Sequence, residues 1–487
     1  MRAIPFGATA LLFVLPLAAR AQMQPIPVPT PAPTTMPSSS PLPYPAYGPP
    51  APDVQLLVPH PGVPQHVSLA QAIDIAIAVS PNFIGQRAVY SELRARYAAE
   101  EQALFPAVSA NGLWEKSFSV TNNRGCNTLF PATCTTGTQI TTQESAGYTV
   151  SQLIFDGGRV IAAIKAAKES ELAGRGTLLR ELDTLAYDVA QNYYAVLQDE
   201  ALVTADEQLV REFETEENAV RAQIRNGVSA LSALAQAEFQ AAQARGSLVQ
   251  AQGAAITAQA QFATLLGLDA DTQIVPEPLG PDTYSATPTY AKSLAQALLL
   301  RPDYQSSQYT VTSDQSNLRY AELARFPTVT GQFNDSTARQ FPALPEPYGN
   351  DGHWIPSRSL SASISIPIYD QGQTWYNIEV AKYTLQEANA SLAETRLTVE
   401  SDVRSSLAQL FSARANFTQA QAALSAAEVS MQAARASYKV GVDTILDLVT
   451  AEANLATAQS NDIAALYGVR NAEQNYLYAT GLSDLRL

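Results

Sequence analysis

Residues 360–372 read Leu360-Ser-Ala-Ser-Ile-Ser-Ile-Pro-Ile-Tyr-Asp-Gln-Gly372. Leu360, Ala362, Ile364, Ile366 and Ile368 alternate with Ser361, Ser363, Ser365 and Pro367. A period of two turns one face of a strand toward lipid or core and the other toward water. The run closes on Tyr369-Asp370-Gln371-Gly372. A carboxylate at such a point caps the free N–H groups of a starting helix, and Gly372 permits the sharp change of direction. The same phrase stands earlier as Tyr148-Thr-Val-Ser-Gln-Leu-Ile-Phe-Asp-Gly-Gly158. Its stripe of Tyr148, Val150, Gln152 and Ile154 is weaker, and Asp156, Gly157 and Gly158 form its turn.

Outward from these two phrases the whole chain repeats. Ser68-Leu-Ala-Gln-Ala-Ile returns as Ser293-Leu-Ala-Gln-Ala-Leu, and Phe105-Pro-Ala-Val as Phe326-Pro-Thr-Val. Phe155-Asp-Gly-Gly, Asn226-Gly227-Val228 and Leu266-Gly267-Leu268 match Tyr369-Asp-Gln-Gly, Val440-Gly441-Val442 and Thr480-Gly481-Leu482 at one constant offset of 214 residues. Chance matches do not keep order and spacing, so one architectural unit is expected twice. The first repeat spans 67–268, with strands at about 105–118 and 145–155 and a helical hairpin at about 157–267. A linker at 269–290 leads to the second, 291–482, with strands at about 327–336 and 360–369 and a hairpin at about 371–480; residues 483–487 form a tail. The partner strands begin after the Phe-Pro pairs, with Val108, Ala110, Gly112 and Trp114 on one face and Val329, Gly331 and Phe333 in the copy.

The helices are long and seamed. Leu182, Val189, Val196, Val203 and Val210 recur every seven residues, as do Ile378, Leu385, Leu392 and Val399. The second stripe then jumps four to Val403 and continues through Leu410, Phe417, Leu424, Met431 and Tyr438, which is a stutter that locally alters supercoiling. No proline interrupts 157–226. At 1.5 Å per residue an unbroken helix there runs on the order of 100 Å, enough to bridge compartments. Gly227 and Gly441 stand where each pair of helices reverses, as helix-ending glycines do.

Four short strands cannot close a barrel, and lipid does not tolerate open sheet edges, so several chains must share one barrel. Trp114, Phe118, Tyr148, Phe155, Trp354 and Tyr369 cluster near strand ends, an arrangement that an aromatic girdle and an ordinary sheet share. The loops at 119–144 and 337–357 are expected to face outside.

Residues 1–21 read as an export signal, with Arg2, an apolar run from Ala8 to Ala19 and the small-x-small site Ala19-Arg20-Ala21. No other apolar stretch is long enough to cross a membrane as a helix. Residues 22–66 form a proline-dense arm, read as a tether or, alternatively, as a polyproline docking segment. Loss of Arg2 and Arg20 makes the formal charge of −15 more negative still, which argues against a nucleic-acid partner. Cys126 and Cys134 share one short polar loop, and export would place them in an oxidising compartment, so a local disulfide is expected. No cysteine follows the leader, against an N-terminal lipid anchor. His60 and His66 lie in the arm and His353 in a loop. No histidine, cysteine and carboxylate spacing suggests metal or nucleophilic chemistry, so no catalytic residue, cofactor or metal is expected.

The duplicated Asp-Gly turns and the Gly-Val tips, in order with strand pairs and hairpins of this length, resemble the TolC-like outer membrane factors over 67–482. The resemblance implies a mainly α protein with a membrane β-barrel. The duplicated strand-pair and helical-hairpin repeat then builds, as a homotrimer, a shared twelve-stranded barrel and an α-helical coiled-coil tunnel. It implies an exit duct in the outer membrane reaching into the periplasm, working with a periplasmic adaptor and an inner-membrane RND or ABC pump. Asn226, Gly227, Val228, Val440, Gly441 and Val442 would be adaptor-docking tips, unless they are turns alone. Asp447 matches an aspartate lining the family's constriction, where one inward carboxylate becomes a ring of three that attracts cations; a solvated helix charge is the plain alternative. Two departures from TolC limit the gate. Its second aspartate ring is Thr450 here, and of its tyrosine–arginine–aspartate latch only Tyr438 is kept, with Asp443 and Ala233 at the other two positions. Drug or metabolite efflux and type I protein secretion are not separable on the sequence. A non-conducting periplasmic coiled-coil scaffold explains the heptads but not the paired strands.

Overall fold

In the computed structural model of the protein, residues 66–122, 136–227, 230–278, 288–341 and 352–482 are described, all within the unit Val63–Leu487. The expected leader, the arm up to residue 65, Cys126, Cys134, Val228 and the tail at 483–487 lie outside them.

The chain is mainly helical and built twice. Strand β1 (His66–Val67) pairs in parallel with β4 (Val275–Pro276), clipping the start of the first repeat to the linker before the second. Helices α1 (Leu69–Val79) and α2 (Pro81–Glu101) lead to β2 (Ala107–Asn122) and β3 (Thr136–Phe155). The hairpin α3 (Arg159–Arg225) and α4 (Leu231–Leu265) follows. The second copy runs α5 (Tyr290–Leu300), α6 (Pro302–Glu322), β5 (Thr328–Phe341), β6 (Ile355–Ser365), α7 (Gln373–Lys439) and α8 (Ile445–Thr480). Both α3 and α7 have 67 residues and begin and end 214 positions apart. Each therefore runs on the order of 100 Å.

The heptad stripes are the packed faces. Val189, Val196, Val399, Val403 and Leu410 are fully buried, and after the stutter Phe417, Leu424, Met431 and Tyr438 stay half-buried along the same seam. One core gathers α1, the middle of α3 and the end of α4 around Val67, Tyr193 and Phe262. A second gathers α5, α7 and α8 around Val403, Leu410 and Tyr476. The Ser68 and Ser293 copies differ in use. Ser68 N-caps α1 in a capping box with Gln71. In the second copy the helix starts earlier, after Thr289, so Ser293 is interior and its hydroxyl meets Tyr476 Oη at 2.8 Å.

A charged group closes the second core. Arg301 is 1% exposed; its guanidinium grips Asp303 with both prongs and reaches Asp402 Oδ2 at 2.8 Å. Arg180 lies across the Tyr478 ring and 3.7 Å from Asp303, so the network joins α3, α6, α7 and α8.

The four main strands form one antiparallel sheet, β2-β3-β5-β6. Two expectations change here. The ladders reach through 119–122, 136–144, 337–341 and 355–357, so much of the two outer loops is strand. At the other end β6 stops at Ser365 rather than Tyr369. Its partner β5 begins only at Thr328, and Pro367 has no N–H to continue a ladder.

Candidate functional site

The register sorts the sheet into two chemically distinct faces. One carries rows such as Val108, Val150, Phe333 and Leu360, and Val329 with Ile364. The other carries Ser109, Thr149, Asn334 and Ser359, then Ser151, Gln332 and Ser361. On that second face Thr149 donates to Asn334 Oδ1 at 2.8 Å, and the Thr330 and Ser363 hydroxyls meet at 2.6 Å. The apolar face ends, toward the long loops, in paired charges. Arg339 bridges Glu144 and lies over Phe341 and Trp354, while Asp335 accepts from Arg358 Nε at 3.0 Å and from Tyr148. Trp354 thus borders one end of the sheet and Phe155 and Tyr369 the other, while Trp114, opposite Glu144, sits mid-way along β2. Tyr148 sits mid-sheet between Ala110 and Asp335, not at an end. Among the described residues β2 and β6 each leave one edge without a partner.

At the strand-to-helix turns the carboxylates cap from two residues outside the helix. Asp156 accepts from the backbone N–H of Gly158, Arg159 and Val160 at 2.9, 3.1 and 2.6 Å. Asp370 does the same for Gly372 and Thr374 at 3.2 and 2.7 Å and also accepts from the Thr374 hydroxyl. Both turns need a left-handed residue after the aspartate, Gly157 at φ 74° and Gln371 at φ 58°. Only the first is forced to be glycine, since a Cβ on Gly157 would stand 2.5 Å from Phe326 Cβ.

The hairpin tips lie at the far ends of the long helices. Asn226 and Val440 end α3 and α7, and Gly227 and Gly441 follow at φ 73° and 78°. Val442 N–H returns to Ser437 O at 3.0 Å, closing a Schellman turn. Val440, Val442 and Leu231 are large apolar side chains left mostly exposed. The tips differ at one point. Thr444 caps α8 in a capping box whose other member is Asp447, with Thr444 N and Oγ1 donating to Asp447 Oδ2 at 3.0 and 2.7 Å. The matching positions at the first tip are Ala230 and Ala233, with no side-chain cap. The Thr444 hydroxyl, then its N–H, hold the Asp447 carboxyl below the usual range, so it is an exposed, charged group at neutral pH. Asp443 is half-buried in the turn, and Thr450 donates back to Leu446 O at 2.7 Å.

This architecture has named relatives. The family model described as outer membrane efflux protein matches residues 72–268 and 293–482, which take in nearly all of both repeats. The chain belongs to the outer membrane efflux protein family. It is similar to the probable efflux pump outer membrane protein TtgC of Pseudomonas putida, 25% identical over 396 residues that cover 80% of this chain and 77% of the relative. It is also similar to the outer membrane efflux protein BepC of Brucella suis, 25% identical over 71% of this chain and 74% of the relative. In fold it resembles the CmeC outer membrane channel of Campylobacter jejuni, with a TM-score of 0.73 at 16% identity over 85% of each chain. The protein is thus an outer-membrane protein whose membrane part is the sheet; among the described residues no helix is long and apolar enough to cross a membrane.

In this efflux protein the neighbourhood of Tyr438 differs from what the sequence suggested. Tyr438 hydrogen-bonds Gln223 of α3, and burial, then the nearby Glu216, raise its hydroxyl above the ordinary value. Beside it lie Glu216, Arg435 and Glu452, none of which the motifs had flagged. The signal was present, however. Glu452 falls four residues after Leu448 and three before Leu455, both buried, and so occupies a core position of the α8 stripe.

Proposed function

We propose that the protein is the protomer of a homotrimeric exit duct that lets small molecules leave the cell passively across the periplasm and outer membrane. The observation that carries the reading is the four-stranded sheet with two open edges and one polar face. Two copies would make eight strands, whose interior side chains fill; three make twelve and leave a lumen lined by Ser, Thr, Asn and Gln. The seam between copies is already written inside the chain. The repeat carries β3 onto β6 with an offset of 214 and β5 onto β2 with an offset of 221. The register within each strand pair agrees, since Val108↔Val150 becomes Val329↔Ile364. The junction Val150↔Phe333 between repeats then becomes Ile364 opposite Gly112 of a neighbouring copy.

The hairpin tips, with Gly227, Val440, Gly441 and Val442, form the periplasmic entrance and the surface for an adaptor that links the duct to an inner-membrane pump. Asp447 contributes one carboxylate per chain to a ring at that entrance. The duct needs no chemistry of its own. The relatives' names, an efflux pump outer membrane protein among them, support the same reading.

The test is Ile364→Cys with Gly112→Cys in one chain. Paired strands hold Cα atoms about 4.5–5.5 Å apart, within disulfide reach. A Cβ at Gly112 meets nothing closer than Ser145 O at 3.8 Å. Oxidation should link three chains, and planar bilayers should show conductance. Ile364→Cys with Val108→Cys, displaced by about 13 Å along the strand, should not link. Unlinked monomers from the first pair, or equal linking from both, would refute the seam.

A further inference from the structure

Near the two tips the same salt bridge occurs twice in different surroundings. Arg221 and Glu238 in the first hairpin correspond, 214 positions on, to Arg435 and Glu452 in the second. The first is an ordinary surface bridge. Arg221 Nη2 meets Glu238 Oε1 at 3.1 Å and Glu217 Oε1 at 2.5 Å, with the arginine and Glu238 about half exposed. In the second only the acid is buried, and the contact is longer. Glu452 is 3% exposed, Arg435 Nη2 stands 3.6 Å from its Oε1, and its Oε2 is buried without a hydrogen bond. Met431 replaces Glu217 in the copy, and the acid that faces this pair comes instead from the other hairpin: Glu216 of α3, whose Oε1 is likewise buried without a hydrogen bond.

The charges around the pair can be named element by element. Helix α3 brings Glu212 and Glu216, α7 brings Arg435, Tyr438 and Lys439, and α8 brings Glu452. From α4, Glu238 and Arg245 are engaged by Arg221, Glu214 and Glu217. Two carboxylates thus interact between α3 and α8, each with a buried oxygen that no protein group donates to. A buried carboxylate without a donor is expensive when charged and is relieved by a proton.

We propose that Glu452 and Glu216 form a proton-operated latch between the two hairpins of a protomer, docked when protonated and released when both ionise; the gating role rests on the duct reading above. Burial, reinforced by Glu216 and opposed by Arg435, pushes the Glu452 carboxyl up to about 7, and burial raises Glu216 as well. The docked form therefore binds more protons than the undocked one between the ordinary carboxylate range and about 7. Docking weakens as pH rises through that window and is strongest at its acid end. Glu452 lies two turns into α8, so its release frees the segment that carries Asp447 and the Val440–Val442 tip.

The full-length protein in planar bilayers tests this. Open probability should rise with pH, by up to about tenfold per unit for each carboxylate that ionises, and level off above about 7. Glu452→Gln, which mimics the protonated acid, should flatten the profile at the low-conductance end, and Glu216→Gln should flatten or shift it. The surface counterpart Glu238→Gln should leave it unchanged. A Glu452→Gln profile identical to wild type, or an equal effect of Glu238→Gln, would overturn the latch. Spin labels at positions 225 and 440 give a readout independent of current. Their separation should lengthen with pH in wild type and stay fixed in Glu452→Gln; a pH-independent wild-type distance also overturns the latch. Absence of current at any pH would count against the duct reading alone, since the label distance still decides the latch.

Discussion

Arg301→Met should destabilise the protein by about 3 kcal/mol per protomer. The guanidinium is buried and donates from Nε to Asp303 Oδ1 at 3.1 Å, from Nη2 to Asp303 Oδ2 at 2.6 Å and from Nη1 to Asp402 Oδ2 at 2.8 Å. Methionine keeps the apolar stem and strands two carboxylates. Losing one partner of a buried pair costs about 3–5 kcal/mol. The Asp402 side chain is 40% exposed, so water recovers most of its share and the lower end of that range applies. With an unfolding entropy of about 2 cal/mol/K per residue, the loss lowers the melting temperature of the detergent-solubilised protein by about 3 °C. The pH dependence identifies the cause. Burial alone would raise the Asp303 carboxyl, but Arg301 and Arg180 hold it below the ordinary range. The stabilisation is therefore complete above that range and lost only as pH falls through the lowered value. The gap between mutant and wild type should stay constant from neutral to mildly acid pH and close only in strong acid. Adding Asp303→Asn should recover part of the loss. Equal melting of mutant and wild type, or a gap that closes near neutrality, would show that the ion network does not act as described.

Asp447→Asn keeps an oxygen for Thr444 and removes the charge. In the proposed ring, three such charges at about 7 Å contribute roughly 1 kcal/mol to a monovalent cation after screening, so cation preference read from reversal potentials should fall about fivefold. Gly157→Ala combines a positive φ with a Cβ 2.5 Å from Phe326 Cβ and should cost about 2–3 kcal/mol, measured as lost heat-stable oligomer; Gln371→Gly should stay within about 1 kcal/mol. Gly176→Ala would place a Cβ 2.8 Å from Pro302 O and 2.9 Å from Ser306 Cβ, costing about 1–3 kcal/mol in melting, whereas Gly468→Ala faces open space and should stabilise by up to about 1 kcal/mol.

The fold was legible because its signals are periodic and doubled. Alternation in 360–364, the heptads with their stutter and the Asp-Gly turns each read the same way in both copies, and the long helices end where Asn226 and Val440 said they would. What was not legible depends on partners. The outer parts of the strands carry Glu144 and Arg339, whose charges read as loop until the ladder pairs them across the sheet. Ile366 and Ile368 keep the alternation of a strand, but the β5 ladder of the same chain stops short of them. At the tips, Asp447 was visible as a motif while its capping bond to Thr444 was not, and the Glu216–Glu452 approach joins residues 236 positions apart.

Duplication also explains where new chemistry can enter such a chain. The framework demands the same things of both copies, a capped strand-to-helix turn, a 67-residue helix and a glycine reversal, and both copies supply them. Positions outside those demands are free to diverge, and they do so along the whole hairpin, the tips included. Ala230 and Ala233 stand against Thr444 and Asp447, Glu217 against Met431, and the exposed Glu238 of one arginine pair against the buried Glu452 of the other. The first change adds a carboxylate to the second hairpin, the Met431 change removes one, and the last buries the acid of the pair. One hairpin then serves as a conventional coil stabilised by surface bridges, while the other carries Asp447 next to its tip and the buried acid beside α3. The two copies thus form an internal control: a substitution that matters only in the second hairpin bears on opening, and one that matters equally in both bears on the coil.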